Sequence, residues 1–198
     1  MQISNTRKGY GALAIAFHWT MAVLVIGLFF FGKYIAGLEP TAPGVYPLYQ
    51  LHKSLGFVVL ALAVLRLAWR AVNPAPALPD GMPTHERIAA ALGHAGLYAL
   101  MLGLPLSGWL MVSASPWGIP TILFDTLQVP HLPVPSVLGT KAQAEALLKN
   151  VHEILGNALL VLVALHAAAA LKHHFINRDG VLTRMLSTRQ AASTAERS

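Results

Sequence analysis

Four long apolar runs, separated by short polar or proline-rich stretches, set the pattern of this chain. From Gly9 to Gly32 no residue carries a formal charge, and Lys8 and Lys33 bracket the run. Crossing the hydrocarbon core of a bilayer takes about 20 apolar residues. This run is long enough, and with no A-x-A pattern after a short core it reads as a retained first helix, not a cleaved signal. The pattern predicts helices over about 10–34, 48–70, 88–112 and 142–175. Lys53 lies near the start of the second, Arg66 and Arg70 lie at its end, and Pro105 interrupts the third. A proline is tolerated in a membrane helix when neighbours satisfy the freed carbonyl.

The connections differ in kind. Residues 73–83 (NPAPALPDGMP) form a short extended link, with prolines at 74, 76, 79 and 83. Residues 113–140 are longer and proline-rich, and are expected to cap the membrane surface. The segment 140–150 (TKAQAEALLKN) has helical composition and extends the fourth helix outward. No internal repeat is evident, and a polar tail occupies about 187–198. The expected architecture is all-α: one integral membrane domain over 1–198, a four-helix bundle.

Composition agrees. Hydrophobic residues make up 55% of the 198-residue chain and charged residues only 11%, against about 25% charged in a soluble domain. The formal charge is +6, but the basic residues cluster at the ends of the apolar runs. That placement fits topology and anionic lipid, not nucleic acid. With the N-terminus inside, the inner segments hold Arg7, Lys8, Arg66, Arg70, Arg87, Lys172, Arg178, Arg184, Arg189 and Arg197. The outer segments hold Lys33, Lys53, Lys141 and Lys149. This asymmetry predicts that both termini are cytoplasmic. The absence of cysteine excludes disulfides, thiolate metal sites, iron–sulfur clusters and covalent haem attachment.

Histidine is the anomaly: nine occur in a chain so poor in charge. His18, His52, His94, His152 and His166 fall within or at the edge of the spans. Ionisable groups at membrane depth are costly and mark cofactors or pathways. At a rise of ~1.5 Å per residue, His52 lies about 27 Å from Arg70 and His152 about 30 Å from Lys172. Both belong near the outer face. His166 lies about 9 Å from Lys172 and His18 about 15 Å from Lys8, in the inner half. His152 and His166 are two heptads apart and drift only about 40° around the helix. The fourth helix therefore offers one imidazole at each level, and the first and second helices offer one partner each. His94, about 10 Å from the inner boundary at Arg87, is an equally placed inner partner by spacing alone.

Opposed imidazoles can clamp a planar macrocycle in a bundle core. Zinc needs three or four converging ligands, and the outer level supplies only two helix-borne histidines. Gly56 and Gly156, four residues after His52 and His152, leave room for a flat group on the same face. A transporter with histidine relays fits less well, since the acidic residues in the spans, Glu145 and Glu153, lie only at the outer end of the fourth, and no internal repeat is evident.

The segments AFHWTM around His18, YQLHKSLGF around His52, LGHAGLYALMLGLPLSGWLM from Leu92, VHEILGN around His152 and LHAAAALKHHF from Leu165 resemble the bacterial cytochrome b561 family. The resemblance covers about residues 10–186, in order, and extends to its superoxide oxidase type; the loop 113–140 departs most. It implies two haem b, one on His18 and His166 and one on His52 and His152, which favours His18 over His94. It also implies a quinone site near His94 and His173, with Tyr98 one turn after His94. The implied activity is haem-dependent quinone reduction: electrons from superoxide, or another small donor, at the outer face pass to ubiquinone. The alternative implied by relatives is a b-type relay and anchor subunit for a separate hydrogenase or other dehydrogenase, with a redox partner protein. Either function places the chain in the bacterial inner membrane.

Overall fold

The computed structural model describes residues 2–79 and 81–188. Arg189 and Arg197, counted above for orientation, and most of the expected tail lie outside the described residues. Four long helices form: α1 (Ala12–Ala36), α2 (Val45–Val72), α3 (Thr84–Ala114) and α4 (Lys141–Lys172). All four are long and apolar enough to cross a membrane. Only 11% of the most apolar window of α1 and of α2, and 6% of that of α3 and of α4, is buried within the protein. Their outer surfaces therefore need lipid, and the fold is a membrane four-helix bundle.

The helices start earlier or run longer than their charge-free cores. α3 begins at Thr84, directly after Pro83, whose carbonyl accepts from Glu86 N–H and Arg87 N–H, both at 3.1 Å. Its first turn is polar and carries Glu86. α4 begins with a reciprocal cap: Thr140 N–H donates to Gln143 Oε1 at 2.9 Å, and Gln143 N–H donates to Thr140 Oγ1 at 3.3 Å. The same helix ends in a π turn, His173–Asn177, closed by Arg178 in the left-handed region at φ 54°.

By internal packing the chain divides into two compact units. The terminal unit comprises Met1–Val23, Leu62–Tyr98 and Val161–Ser198, and the middle unit comprises Leu24–Ala61 and Ala99–Leu160. In the terminal unit, Trp19 Nε1–H donates to the Met185 carbonyl at 2.8 Å and Arg184 to the Ala77 carbonyl at 2.7 Å. Lys172 also pairs with Glu86 there.

In the middle unit the proline-rich loop contains a small antiparallel hairpin, β1 (Thr121–Leu123) with β2 (Leu127–Val129), in register Thr121↔Val129. Phe124 and Asp125 at its tip have φ 48° and 56°, an uncommon conformation for residues with side chains. The hairpin is pinned to α2. Gln50 Nε2–H donates to the Pro120 carbonyl at 2.9 Å, and Gln50 Oε1 accepts from Ile122 N–H at 3.2 Å. Ser54 Oγ accepts from Phe124 N–H at 3.0 Å. On α3, Trp109 Nε1–H donates to the Pro130 carbonyl and Ser113 Oγ accepts from Leu132 N–H. Ala114, Ala144 and Leu148 close an apolar cluster beneath the loop with Leu110, Met111, Val134 and Leu138.

Candidate functional site

Each unit contains its own histidine cluster. In the middle unit, His52 on α2 faces His152 on α4 with ring centres 6.4 Å apart and planes at 78°. The setting of His152 is well defined. Its Nδ1 lies 3.1 Å from the Leu104 carbonyl, which can only accept, and 3.0 Å from Ser107 Oγ. Nδ1 therefore carries the proton and Nε2 keeps a free lone pair, the arrangement that orients a metal-ligating histidine. Leu104 immediately precedes Pro105, and Ser107 Oγ–H donates to the same carbonyl at 2.7 Å. Gly108 makes room: a Cβ there would stand 3.0 Å from His152 Cε1. Gly32 does the same for His52, again at 3.0 Å. The His52 ring packs on Phe31, and its Nδ1 is buried without a hydrogen-bond partner.

In the terminal unit, His18 on α1 faces His166 on α4 at 6.1 Å between ring centres. His94 on α3 also meets His166, at 5.4 Å. Arg66 on α2 reaches into this cluster: its guanidinium donates to His18 Nδ1 at 3.2 Å and lies 3.9 Å from Met21 Sδ. The Tyr98 ring carries Arg66 at 5.6 Å and Arg70 at 5.8 Å from its centre. His173 keeps different company. Nδ1 bonds Asp179 and Nε2 lies 3.5 Å from Glu86 Oε2. Tyr10, just ahead of α1, is partly buried, and this burial pushes its phenol pKa above the ordinary value.

These clusters fit a haem. Two imidazoles sharing one metal ion each place a nitrogen about 2 Å from it, so their ring centres stand roughly 6 Å apart. Both the His52–His152 and the His18–His166 spacings meet that requirement. Among the described residues no group of three or more histidines, cysteines or carboxylates could hold a metal ion unaided. A macrocycle brings its own equatorial nitrogens and needs only the axial pair. The glycines predicted to leave room behave unequally. Nothing lies within 4 Å of a Cβ on Gly56, whereas Gly156 is in ordinary contact with Phe29.

Residues 9–188 match the family model for prokaryotic cytochrome b561. The chain belongs to the prokaryotic cytochrome b561 family. As a b561 cytochrome it is a multi-pass membrane electron-transfer protein of the haem b class. It is 35% identical over 187 residues to cytochrome b561 homolog 2 of Escherichia coli K12, covering 94% of this chain and 95% of that protein. It is 29% identical over 177 residues to cytochrome b561 homolog 1 of the same organism, covering 89% and 96% of the two chains. It is also 28% identical over 184 residues to the probable superoxide oxidase CybB of Yersinia pestis, covering 90% and 96%.

Sequence reasoning about this cytochrome missed Ser107, Gly32, Gly108 and the role of Arg66. Arg66 was legible in principle, as a charge set between Leu65 and Leu67 inside an apolar run.

Proposed function

We propose that this cytochrome carries two haem b per chain, an outer one on His52 and His152 and an inner one on His18 and His166. On this reading it takes electrons from superoxide at the outer face and delivers them to ubiquinone in the membrane. The observation that carries the reading is the pair of imidazole spacings, 6.4 Å and 6.1 Å, each within its own compact unit. Bound haem b would supply a one-electron ferric–ferrous couple at each site. In the net reaction two superoxide anions lose one electron each and become dioxygen. One quinone takes up the two electrons with two protons and becomes the quinol.

The chain's own residues divide the remaining work. Lys53 follows the ligand His52, and its ammonium donates to the Pro120 carbonyl at 3.1 Å. That acceptor is neutral, so the charge is not cancelled and can draw an anion toward the outer site. Lys33 contributes less, because Glu153 pairs with it at 2.6 Å. At the inner site His94 is the residue placed to hydrogen-bond a quinone carbonyl, with Tyr98 one turn on. His173 has both ring nitrogens facing carboxylates, so its part is to hold and resupply a proton at Nδ1 or Nε2. The basic asymmetry orients the protein with both termini in the cytoplasm of a bacterial inner membrane.

Turnover tests the reading directly. The purified holoprotein, given enzymatically generated superoxide and a soluble ubiquinone analogue, should form one quinol per two superoxide with no hydrogen peroxide. Quinol formation that is indifferent to superoxide, yet restored by a co-purifying dehydrogenase, would move the chain to the relay-subunit class.

A further inference from the structure

Arg66 carries a permanent charge at membrane depth, and such a charge needs a partner. Among the described residues no carboxylate forms an ion pair with it. Its polar contacts are the His18 ring and Met21 Sδ, and its flat face lies over Tyr98. Arg70 lies over the same ring and likewise lacks a carboxylate partner among the described residues. Two guanidiniums sharing one phenol ring and no anion describe a site awaiting an acidic ligand.

The contact with His18 sharpens this. A guanidinium has donors only, so His18 Nδ1 accepts and the ring proton sits on Nε2. An imidazole in that tautomer has no lone pair at Nε2 for a metal. For His18 to ligate through Nε2, the proton must move to Nδ1, and Arg66 must then let go. The released guanidinium can stay near His18 only by finding another acceptor, and haem b brings two carboxylates on its edge.

We propose that Arg66 is the anion anchor of the inner haem, exchanging its bond to His18 for a haem carboxylate and raising the inner midpoint potential by its fixed charge. This rests on the assignment of the inner haem to His18 and His166. Arg66 acts as a positioning residue: it touches neither donor nor acceptor, holds the cofactor by its edge and favours the reduced iron electrostatically. The Tyr98 face keeps the guanidinium plane from turning away.

The test uses the full-length holoprotein carrying R66Q or R66K, with H18A in parallel. Each is read by haem-to-protein ratio, by the low-spin spectrum and by redox titration, with the outer haem as internal reference. R66Q should keep the bis-imidazole spectrum while its inner haem shows a reduced-to-oxidised ratio at least tenfold lower at fixed ambient potential. That corresponds to 59 mV for a one-electron couple. R66K, which keeps the charge, should recover most of the shift, and the outer haem should not move. An unshifted inner haem in R66Q, or an equal shift in R66K, overturns the proposal. Should R66Q fail to take up the inner haem, uptake by R66K with a near-normal potential supports it, and failure of R66K overturns it. If H18A keeps both haems, the ligand assignment is wrong. If H18A loses the inner haem and R66Q shifts nothing, only the Arg66 role falls.

Discussion

Gly108→Ala isolates the packing around one proposed ligand. A Cβ at this position would stand 3.0 Å from His152 Cε1 and 3.3 Å from His152 Nδ1. Comfortable carbon contacts lie at about 3.5–4.0 Å, so the imidazole would have to retreat by about 0.5 Å. It is not free to do so, because Nδ1 is tied to the Leu104 carbonyl at 3.1 Å and to Ser107 at 3.0 Å. Overpacking of this kind costs about 1–3 kcal/mol. If the strain falls on the ligand, the outer haem should bind about 5- to 150-fold more weakly. Helix propensity acts in the opposite direction, since alanine is better than glycine by about 1 kcal/mol within a helix. Gly27→Ala measures that background: Gly27 is exposed on α1 with nothing within 4 Å of its Cβ position. The assay is the rate of haem transfer from each purified variant to an apo-globin acceptor, with the haem-to-protein ratio at the start. Gly27→Ala should behave as the parent, and Gly108→Ala should lose the outer haem faster or arrive without it. Equal transfer rates in the two variants would show that the close approach of α3 to His152 does not support the ligand.

Three further outcomes are expected. His94→Ala should retain both haems and their reducibility from outside but lose reoxidation of the inner haem by added quinone, followed by stopped-flow absorbance. His173→Ala should slow that reoxidation, and normal quinone reduction in the double variant would remove both residues from the mechanism. A reporter fused at Ser198 should be active only if it is a cytoplasmic reporter. A periplasmic signal there would reverse the orientation and exchange the inner and outer labels.

The spans were legible because lipid leaves the backbone few choices. Runs such as Gly9–Gly32 therefore announce themselves without reference to the rest of the chain. The two histidine levels were legible for a related reason: a fixed rise per residue turns sequence distance from a basic flank into depth, though depth left His18 and His94 tied, and both meet His166. Interactions between distant segments were not. The lock on His152 comes from Leu104 and Ser107, 48 and 45 residues away, and nothing local to VHEILGN points to them. The hairpin in 113–140 turns through Phe124 and Asp125 at positive φ, without the Asn-Gly or Asp-Gly pair that signals such a turn. Its anchors on Gln50 and Ser54 lie on another helix. The resemblance implied a quinone site near His173. The π turn and the left-handed Arg178 fold Asp179 back onto it, a reversal that a heptad count cannot register. Arg66 was counted as a flanking charge for topology, yet it reaches His18 inside the bundle.

The central claim is that two histidine pairs hold two haems, and the most direct measurement is a reduced-minus-oxidised spectrum with haem-to-protein ratio for the parent and four single variants. The account predicts two low-spin haem b per chain in the parent. His52→Ala and His152→Ala should lose the same haem, and His18→Ala and His166→Ala should lose the other. A parent with one haem, or any of the four variants retaining two intact bis-imidazole spectra, would contradict it.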